Sequence, residues 1–209
     1  MVTETEIRQA LIWRHSEKIQ KKLDKARVAI AGLGGLGSNV AFALARIGVG
    51  HLHLIDFDQV DITNLNRQQY FIKHVGMYKT EALAQELKEI NPYLHVVTDC
   101  VRVSEENLER LFAEEEIICE AFDVPEAKAL LVNGIMEKYP DKILVAASGM
   151  AGYGNSNEIK TRKITEHFYL CGDEHTEPKA GMGLMAPRVG ICAAHEANLI
   201  TELIINNNN

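Results

Sequence analysis

The feature that most constrains the fold is a glycine-rich segment between a short apolar run and a predicted helix. The run Arg27–Ala31 is typical of a buried strand, and it leads into Gly32-Leu-Gly-Gly-Leu-Gly37, which fits the pattern G-x-G-x-x-G. A helix is predicted from Leu36 to Ile47. Glycines permit a tight turn, and the free N–H groups at a helix start can bind phosphate. We therefore expect a nucleotide site here, the alternative being a glycine turn that only allows close packing. The glycines of this site are Gly32, Gly34, Gly35 and Gly37.

Predicted strands and helices alternate along the rest of the chain, which is typical of a mostly parallel sheet with helices on both faces. One or two helices are expected within residues 3–23. The other predicted helices are 36–47, 80–90, 105–112, 125–138 and 187–205, the last preceded by a loop at 172–186. The predicted strands are 27–31, 51–57, 94–101, 117–122 and 143–147, with β-like stretches at 159–164 and 168–171. The pattern predicts a Rossmann-like α/β fold whose β-rich C-terminal part is closed by a final helix.

Length and composition favour one domain. The chain has 209 residues, of which 46% are hydrophobic and 24% charged, as is ordinary for a globular fold. Within this single domain we distinguish N-terminal helices (1–24), a nucleotide-binding core (25–150) and a C-terminal part (151–205). The asparagine run at 206–209 is predicted to be a disordered tail.

Charge and hydropathy exclude several classes of partner. The formal net charge is −7, so the chain is a poor general binder of nucleic acid, which requires clustered Lys and Arg. No apolar stretch approaches the roughly 18 residues of a membrane-spanning helix. The first residues include Glu4, Glu6 and Arg8 rather than an apolar leader, so we expect a cytoplasmic protein.

The four cysteines give no sign of a metal site. Cys100, Cys119, Cys171 and Cys192 form no C-x-x-C pair, and we therefore expect no zinc. Cys171 has His175 four residues further on, which leaves a reactive thiol open as an alternative to simple packing. A low thiol pKa would require nearby positive charge.

A dense polar run follows the second predicted strand. Asp56 lies near the end of that strand, 19 residues beyond Gly37, where a carboxylate can accept hydrogen bonds from ribose hydroxyls. An NAD-dependent oxidoreductase would account for the glycines and Asp56 but not for the polar residues after them. The Tyr-x-x-x-Lys pair of short-chain dehydrogenases is also absent. The candidate binding residues in this run are Asp56, Asp58, Asn64, Asn66, Arg67 and Gln68.

Four motifs occur in order along the chain: Gly32–Ser38, Asp56-x-Asp58, Asn64-Leu-Asn-Arg-Gln68 and Val75-Gly-x-x-Lys79. Together they resemble the adenylating domain of the ThiF, MoeB and ubiquitin-activating enzyme superfamily, over nearly the whole chain. The short length and the runs Ala146–Asn155 and Gly183–Arg188 look closest to the short ThiF-like branch. That branch is associated with activating the sulfur carrier ThiS for the synthesis of the thiamine thiazole.

The resemblance implies ATP-dependent adenylation of a small ubiquitin-like protein that ends in Gly-Gly. Its terminal carboxylate would attack the α-phosphorus of ATP and give an acyl-adenylate and pyrophosphate. Since a carboxylate is already a nucleophile, the reaction needs cations, a metal ion and positioned donors rather than a Ser–His or Cys–His pair. A molybdopterin-type carrier and a non-catalytic carrier-binding subunit stay open as alternatives.

The motif match assigns roles to four residues. Arg67 and Lys79 would contact phosphates, and Asp123 would hold Mg²⁺. Arg8 would reach the ATP of the partner subunit in a homodimer, with Arg14 as the competing candidate. For Lys79 the alternative is an ordinary surface lysine, and for Asp123 it is a helix N-cap before Pro125.

Overall fold

One seven-stranded sheet forms the centre of the protein, as described by a computed structural model of residues 2–206. Its strands are β1 (Arg27–Ala31), β2 (His51–Ile55), β3 (His95–Asp99), β4 (Ile117–Glu120), β5 (Ile143–Ala147), β6 (Lys160–Lys163) and β7 (Phe168–Gly172). They lie in the order β3-β2-β1-β4-β5-β7-β6. Only β6 is antiparallel to its neighbour, β7. The predicted fold class, a mostly parallel Rossmann-like α/β sheet, is confirmed.

Helices cover both faces of this sheet. They are α1 (Glu4–His15), α2 (Glu17–Lys25), α3 (Gly35–Arg46), α4 (Lys79–Ile90), α5 (Glu105–Phe112), α6 (Pro125–Lys138) and α7 (Ala186–Asn206). The apolar residues of α2, α3, α4 and α7 pack on one face, and those of α5 and α6 pack on the other. Within residues 2–206, no helix is long and apolar enough to cross a membrane.

The central strands are apolar because both of their sides are buried. In β1, Val28 and Ile30 face the α3–α7 layer, whereas Ala29 and Ala31 face the α5–α6 layer. All four are fully buried. A continuous apolar run of this kind is expected for a strand in the middle of a parallel sheet. The edge strand β6 is exposed at all four positions, from Lys160 to Lys163, and its charged residues discourage pairing with another chain.

The structure corrects several predicted boundaries. The region 3–23 contains two helices, which Ser16 separates with a positive φ of 79°. The strand predicted at 51–57 ends at Ile55, because the carboxylate of Asp56 turns back to accept backbone N–H groups. Helix α7 includes Asn206, which we had placed in the disordered tail, and 207–209 lie outside the described residues. Three short 3₁₀ turns were not predicted: Ile62–Asn64, Ile72–His74 and Ser156–Glu158.

A histidine between two carboxylates links β2 to the end of β3 and to the loop between α5 and β4. The two ring nitrogens of His53 lie 3.0 Å from Glu115 and 2.9 Å from Asp99. Burial lowers the pKa of His53, but the hydrogen bonds and charges of the two carboxylates outweigh this effect and leave that pKa above its ordinary value. Both carboxyl groups are partly desolvated, which opposes ionisation. Arg110 and His53 nevertheless keep the pKa of Asp99 below its ordinary value, and His53 does the same for Glu115.

We expect this triad to stabilise the fold most strongly between about pH 5 and pH 6.5. The raised pKa of His53 means that its contribution is complete below its unfolded pKa and disappears as pH rises through the folded pKa. The lowered pKa values of Asp99 and Glu115 also stabilise the fold, but this contribution is lost as the pH falls through their folded pKa values. His53→Gln should therefore cost about 1–3 kcal/mol near pH 6 and less near pH 8.5. Urea unfolding at both pH values measures this, and an equal loss at both would contradict it.

Candidate active site

The glycine segment lies at the carboxyl edge of the sheet, where the strand order reverses between β1 and β4. Open α/β sheets bind ligands at such a switch point. Gly32 has a φ of +93°, and a Cβ atom there would lie 2.7 Å from the carbonyl oxygen of Ala121. A Cβ atom at Gly37 would overlap the carbonyl oxygen of Gly32. Gly32 is therefore needed for the close approach of the β1–α3 turn to the end of β4, and Gly37 for the tight packing of the first turn of α3 on Gly32.

Gly34 is different, because the structure leaves space beside it. Its φ is −76°, which other residues adopt, and an added Cβ atom would meet only the Gln68 side chain, at 3.7 Å. Gly34 is the N-cap of α3, which has no side-chain cap and no acidic residue in its first turn. The N–H groups of that turn are thus available to an anion, which the helix dipole would also favour.

Replacing Gly34 with alanine tests this site directly. We expect the melting temperature to stay nearly unchanged, because the added methyl group enters free space. ATP affinity should fall at least about tenfold, because the methyl group would occupy the space that a bound phosphate needs, and a phosphate held away from one N–H group loses a charge-assisted hydrogen bond of about 1.5–3 kcal/mol. Gly190→Ala in α7 is the matched control, because its Cβ atom also meets nothing within 4 Å. Calorimetric titration with ATP would contradict the assignment if both variants bind like the parent protein.

Side chains from the first turns of α3 hold the polar loop that follows β2. The Ser38 hydroxyl accepts a hydrogen bond from the Gln69 backbone N–H, at 3.0 Å. The Asn39 amide donates to the carbonyl oxygen of Arg67, at 3.2 Å, and accepts from the Gln69 amide, at 2.6 Å. The predicted candidates on this loop are therefore brought beside the glycine segment by residues that sequence reasoning did not single out.

Asp56 is buried and already bonded to the backbone around it. Its carboxylate accepts the N–H groups of Leu33, at 2.7 Å, and Asp58, at 2.8 Å. Burial raises the pKa of Asp56, and the Lys79 ammonium, 3.8 Å away, opposes that rise. Tyr70, another residue not singled out beforehand, donates its hydroxyl to the carbonyl oxygen of Leu33. Asp56 thus fixes the glycine segment, and its contact with a ribose stays a prediction.

Lys79 is the first residue of α4 and is only 6% exposed. Its ammonium lies 2.8 Å from the half-exposed carboxylate of Asp58. The alternative of an ordinary surface lysine is therefore wrong. A buried ammonium next to the glycine segment and beside an exposed carboxylate can exchange that partner for a phosphate, because both are anionic oxygen groups.

Arg67 and Gln68 carry buried polar atoms without partners. Within residues 2–206, the Arg67 Nε and the Gln68 Oε1 have no hydrogen bond. The Arg67 guanidinium donates to the Asn66 side chain, at 2.8 Å, and its aliphatic stem lies against Gly35. Buried polar atoms normally have partners, and these two lie close to the glycine segment, where a bound ligand would supply them.

The two asparagines of the loop have structural contacts. Asn64 accepts the backbone N–H of Asp61 and thereby closes a 3₁₀ turn. The Asn66 amide donates to the carbonyl oxygen of Leu184, in the loop that precedes α7. These bonds fix the polar loop and join it to the C-terminal part of the chain. Direct contacts of Asn64 and Asn66 with a nucleotide remain predictions.

Asp123 lies on the turn between β4 and α6, next to the glycine segment. It is exposed, and its carboxylate has no hydrogen bond or ion pair within the described residues 2–206. The N-cap of α6 is Val124, and no side chain caps this helix, so the N-cap role considered for Asp123 is wrong. A free carboxylate at the switch point suits a hard cation that also binds phosphate oxygens.

Arg8 does not join the other candidates within the protomer. It lies on α1, forms an ion pair with Asp24 at 2.9 Å, and lines a cavity that includes Gly50 and His51. His51 begins β2, so this cavity opens at the amino edge of the sheet, opposite the glycine segment. A role of Arg8 at the nucleotide would require the site of another subunit.

Cys171 does not have the properties of a reactive thiol. It is fully buried on β7, and burial raises its pKa to about 12, so almost no thiolate exists at neutral pH. Cys119 and Cys192 are also buried, and burial raises the pKa of each thiol. Cys100 is exposed. The packing interpretation of Cys171 is therefore the one that the structure supports.

Residues 7–209 match the sequence model of the ThiF family. The chain belongs to the ThiF family. This agrees with the resemblance carried by the four motifs between Gly32 and Lys79.

Relatives of this chain include adenylyltransferases. The chain is 37% identical over 146 residues to adenylyltransferase and sulfurtransferase UBA4 of Candida glabrata. This matched region is 69% of this chain but only 33% of that protein. It is 31% identical over 183 residues to molybdopterin-synthase adenylyltransferase of Salmonella typhimurium, covering 85% of this chain and 72% of the relative.

A solved structure with a similar fold is that of Escherichia coli tRNA N6-threonylcarbamoyladenosine dehydratase in complex with ATP. The TM-score is 0.87, with 98% of this chain and 96% of the other covered. Because the two sequences are only 20% identical, this likeness concerns the fold alone. The two proteins therefore share the fold over nearly their whole length.

Proposed function

We propose that this ThiF-family protein uses ATP to adenylate the C-terminal carboxylate of a ubiquitin-like carrier protein. The observation that carries the proposal is the set of groups around the uncapped start of α3. Arg67 and Lys79 supply positive charge there, and Asp123 supplies a free carboxylate. An NAD-dependent oxidoreductase would use the same glycines but has no need for these three groups.

The proposed reaction needs little covalent help from the protein. The carrier carboxylate attacks the α-phosphorus, and the bond to the leaving pyrophosphate breaks. The protein has to bring two anions together and to stabilise the charge on the phosphate oxygens. The N–H groups of the first α3 turn, the fork of Arg67 and the point charge of Lys79 are suited to this task. Lys79 would exchange Asp58 for a phosphate oxygen when ATP binds.

Asp123 fits the requirements of a magnesium ligand. Mg²⁺ prefers oxygen ligands and is commonly held by one or two carboxylates together with substrate phosphates. The Asp123 carboxylate is exposed and has no cationic partner within residues 2–206. Bound Mg²⁺ would neutralise charge on the phosphates during adenylation. The role of Asp123 is to hold that ion at the carboxyl end of β4.

ThiS is the carrier that we favour within this proposal. The support is the likeness of the runs Ala146–Asn155 and Gly183–Arg188 to the ThiS-activating branch. A molybdopterin-type carrier has the same Gly-Gly ending, and the molybdopterin-synthase adenylyltransferase of Salmonella typhimurium is similar over 85% of this chain. The choice of carrier therefore requires an experiment. Because the reaction consumes ATP, we place it in the cytoplasm.

We propose further that the active form is a homodimer in which Arg8 serves the site of the partner subunit. No residue of α1 is buried within the protomer, and Trp13 on this helix is 79% exposed. Arg8 itself lies at the opposite edge of the sheet from its own nucleotide site. Sedimentation equilibrium tests the dimer. If Arg8 acts in trans, mixing Arg8→Ala subunits with Asp123→Asn subunits should restore activity, because each mixed dimer has one intact site. About half of the dimers in an equal mixture would be mixed, and neither variant alone should be active.

The acyl-adenylate would be passed to a nucleophile outside this chain. Three of the four thiols are buried, with raised pKa values, and the exposed Cys100 follows the edge strand β3. Sulfur transfer would then require a separate donor. Cys171→Ser should therefore leave adenylation unchanged.

Pyrophosphate exchange tests the proposed function. Labelled pyrophosphate should enter MgATP only when a carrier ending in Gly-Gly is present. Exchange with ThiS alone would support the preferred carrier, and exchange with a molybdopterin-type carrier would keep the reaction but change the substrate. ATP binding without exchange across a panel of carriers would contradict the proposal, and would favour a small-molecule adenylator or a non-catalytic carrier-binding subunit.

A further inference from the structure

A fully buried carboxylate lies at the end of β4, three residues before Asp123. Glu120 has no exposed surface, which is rare for an acidic residue without a specific partner. One carboxylate oxygen accepts the backbone N–H of Phe122, at 2.8 Å. The other accepts the ammonium of Lys128, at 2.5 Å. Both oxygens of Glu120 are thus used by residues on either side of Asp123.

Lys128 connects this carboxylate to a second strand. It lies on the first turn of α6, and its ammonium also donates to the carbonyl oxygen of Ala147, at 3.0 Å. Ala147 is the last residue of β5. The pair of Glu120 and Lys128 therefore joins the ends of β4 and β5 to the start of α6.

The turn between these two residues carries Asp123 and has few other constraints. The start of α6 has no side-chain cap, and the Asp123 carboxylate makes no hydrogen bond within residues 2–206. The position of that carboxylate therefore depends on the backbone from 121 to 125. Mg²⁺ requires near-ideal octahedral geometry, so a small displacement of one ligand weakens its binding.

We propose that Glu120 and Lys128 are positioning residues, which hold the β4–α6 turn so that Asp123 presents its carboxylate to the metal ion of bound ATP. This inference rests on the proposed function, in which Asp123 holds Mg²⁺. Any buried ion pair in the core would satisfy a purely structural role. Such a role does not explain why Glu120 accepts the N–H of Phe122, the residue directly before Asp123, while Lys128 bonds to the end of β5.

The test measures how much Mg²⁺ strengthens nucleotide binding. ATP affinity is determined by calorimetry in EDTA and in Mg²⁺, and the ratio of the two dissociation constants is compared among variants. Asp123→Asn should remove the magnesium-dependent gain. Glu120→Gln and Lys128→Met should each reduce it by about tenfold or more, which is typical for residues that orient a metal ligand. Affinity in EDTA should stay close to that of the parent protein.

Two further variants keep the test independent of folding. Lys128→Met alone leaves a buried carboxylate without its cation, so the double variant Glu120→Gln/Lys128→Met is included, because removing both charges is tolerated better. It should also lose the gain, whereas Lys128→Arg should keep most of it. Glu86→Gln is the matched control, since Glu86 is buried on α4 and pairs with Lys73 rather than with the turn.

The outcomes separate this inference from the proposed function. If Asp123→Asn loses the gain and the Glu120 and Lys128 variants keep it, the positioning role is wrong and the proposed function stands. If Asp123→Asn keeps the gain, Asp123 is not the metal ligand and the positioning role is wrong as well, whereas adenylation itself is decided by the pyrophosphate exchange. Hydrogen exchange gives a readout without nucleotide: the Phe122 amide should lose protection in Lys128→Met, and unchanged protection would contradict the proposal.

Discussion

Arg67→Ala should lower the rate of carrier-dependent pyrophosphate exchange by about two to three orders of magnitude. Losses of this size follow when one positioned donor to a developing oxyanion is removed. Stability should change little, because the side chain is half-buried and its hydrogen bonds go to Asn66 and to a carbonyl oxygen of the same loop. Exchange kinetics with saturating carrier, together with a thermal melt, measure the two effects separately.

Conservative and distant arginine variants give the controls for this result. Arg67→Lys keeps the charge but loses the planar fork, so we expect an intermediate rate. Arg14→Ala removes an exposed arginine that lies over Trp13 on α1. It should leave the exchange rate unchanged unless Arg14, rather than Arg8, reaches the partner's site. An equal loss of rate and of stability in Arg67→Ala would indicate a structural role for this residue.

The fold could be predicted from the sequence because its determinants are local. The helix at 105–112, the helix at 125–138 and the strand at 143–147 were predicted with the bounds that the structure has. Pro125 is suited to the first turn of a helix, and five consecutive apolar residues form the strand. The end of β2 was predicted wrongly because Asp56 bonds to Leu33, 23 residues earlier in the chain. Such a contact has no local signal.

The polar side chains at the site were less predictable than its location. The glycine pattern indicated the turn, since Gly37 is required by a contact within the turn itself, with the carbonyl oxygen of Gly32. Sequence reasoning missed Tyr70, Ser38 and Asn39, because hydroxyl and amide groups near a helix start are common and their partners lie in a distant loop. It also missed the ion pair of Glu120 and Lys128, because the sequence does not show that Glu120 is buried.

The site combines two ways of meeting negative charge in a protein with a net charge of −7. The start of α3 offers backbone dipoles that need no side-chain charge. Arg67 and Lys79 add positive charges that lie close to it. Because the positive groups are local, an anionic ligand is attracted to this edge of the sheet without a basic surface elsewhere.

Lys79→Met should destabilise the fold by about 3 kcal/mol at neutral pH. Lys79 and Asp56 are both more than 90% buried, and removing one partner of a buried pair leaves the other charge uncompensated. We expect the lower end of the usual range, because Asp56 keeps two backbone N–H donors. Lys88→Met, an exposed position on the same helix, should change stability by less than about 0.5 kcal/mol.

The destabilisation in Lys79→Met should decrease as the pH falls. Burial already raises the pKa of Asp56, and the Lys79 ammonium is what opposes this rise, so its removal moves the folded pKa further up. A folded pKa above the unfolded one means that the native state binds more protons, and stability then falls as pH rises through that pKa. Urea unfolding near pH 5 and pH 7.5 should show a smaller difference from the parent protein at the lower pH. Adding Asp56→Asn should recover part of the loss at pH 7.5, because a neutral amide needs no counter-ion. A destabilisation that is independent of pH would mean that the packing of the Lys79 stem, and not its charge, supports the site.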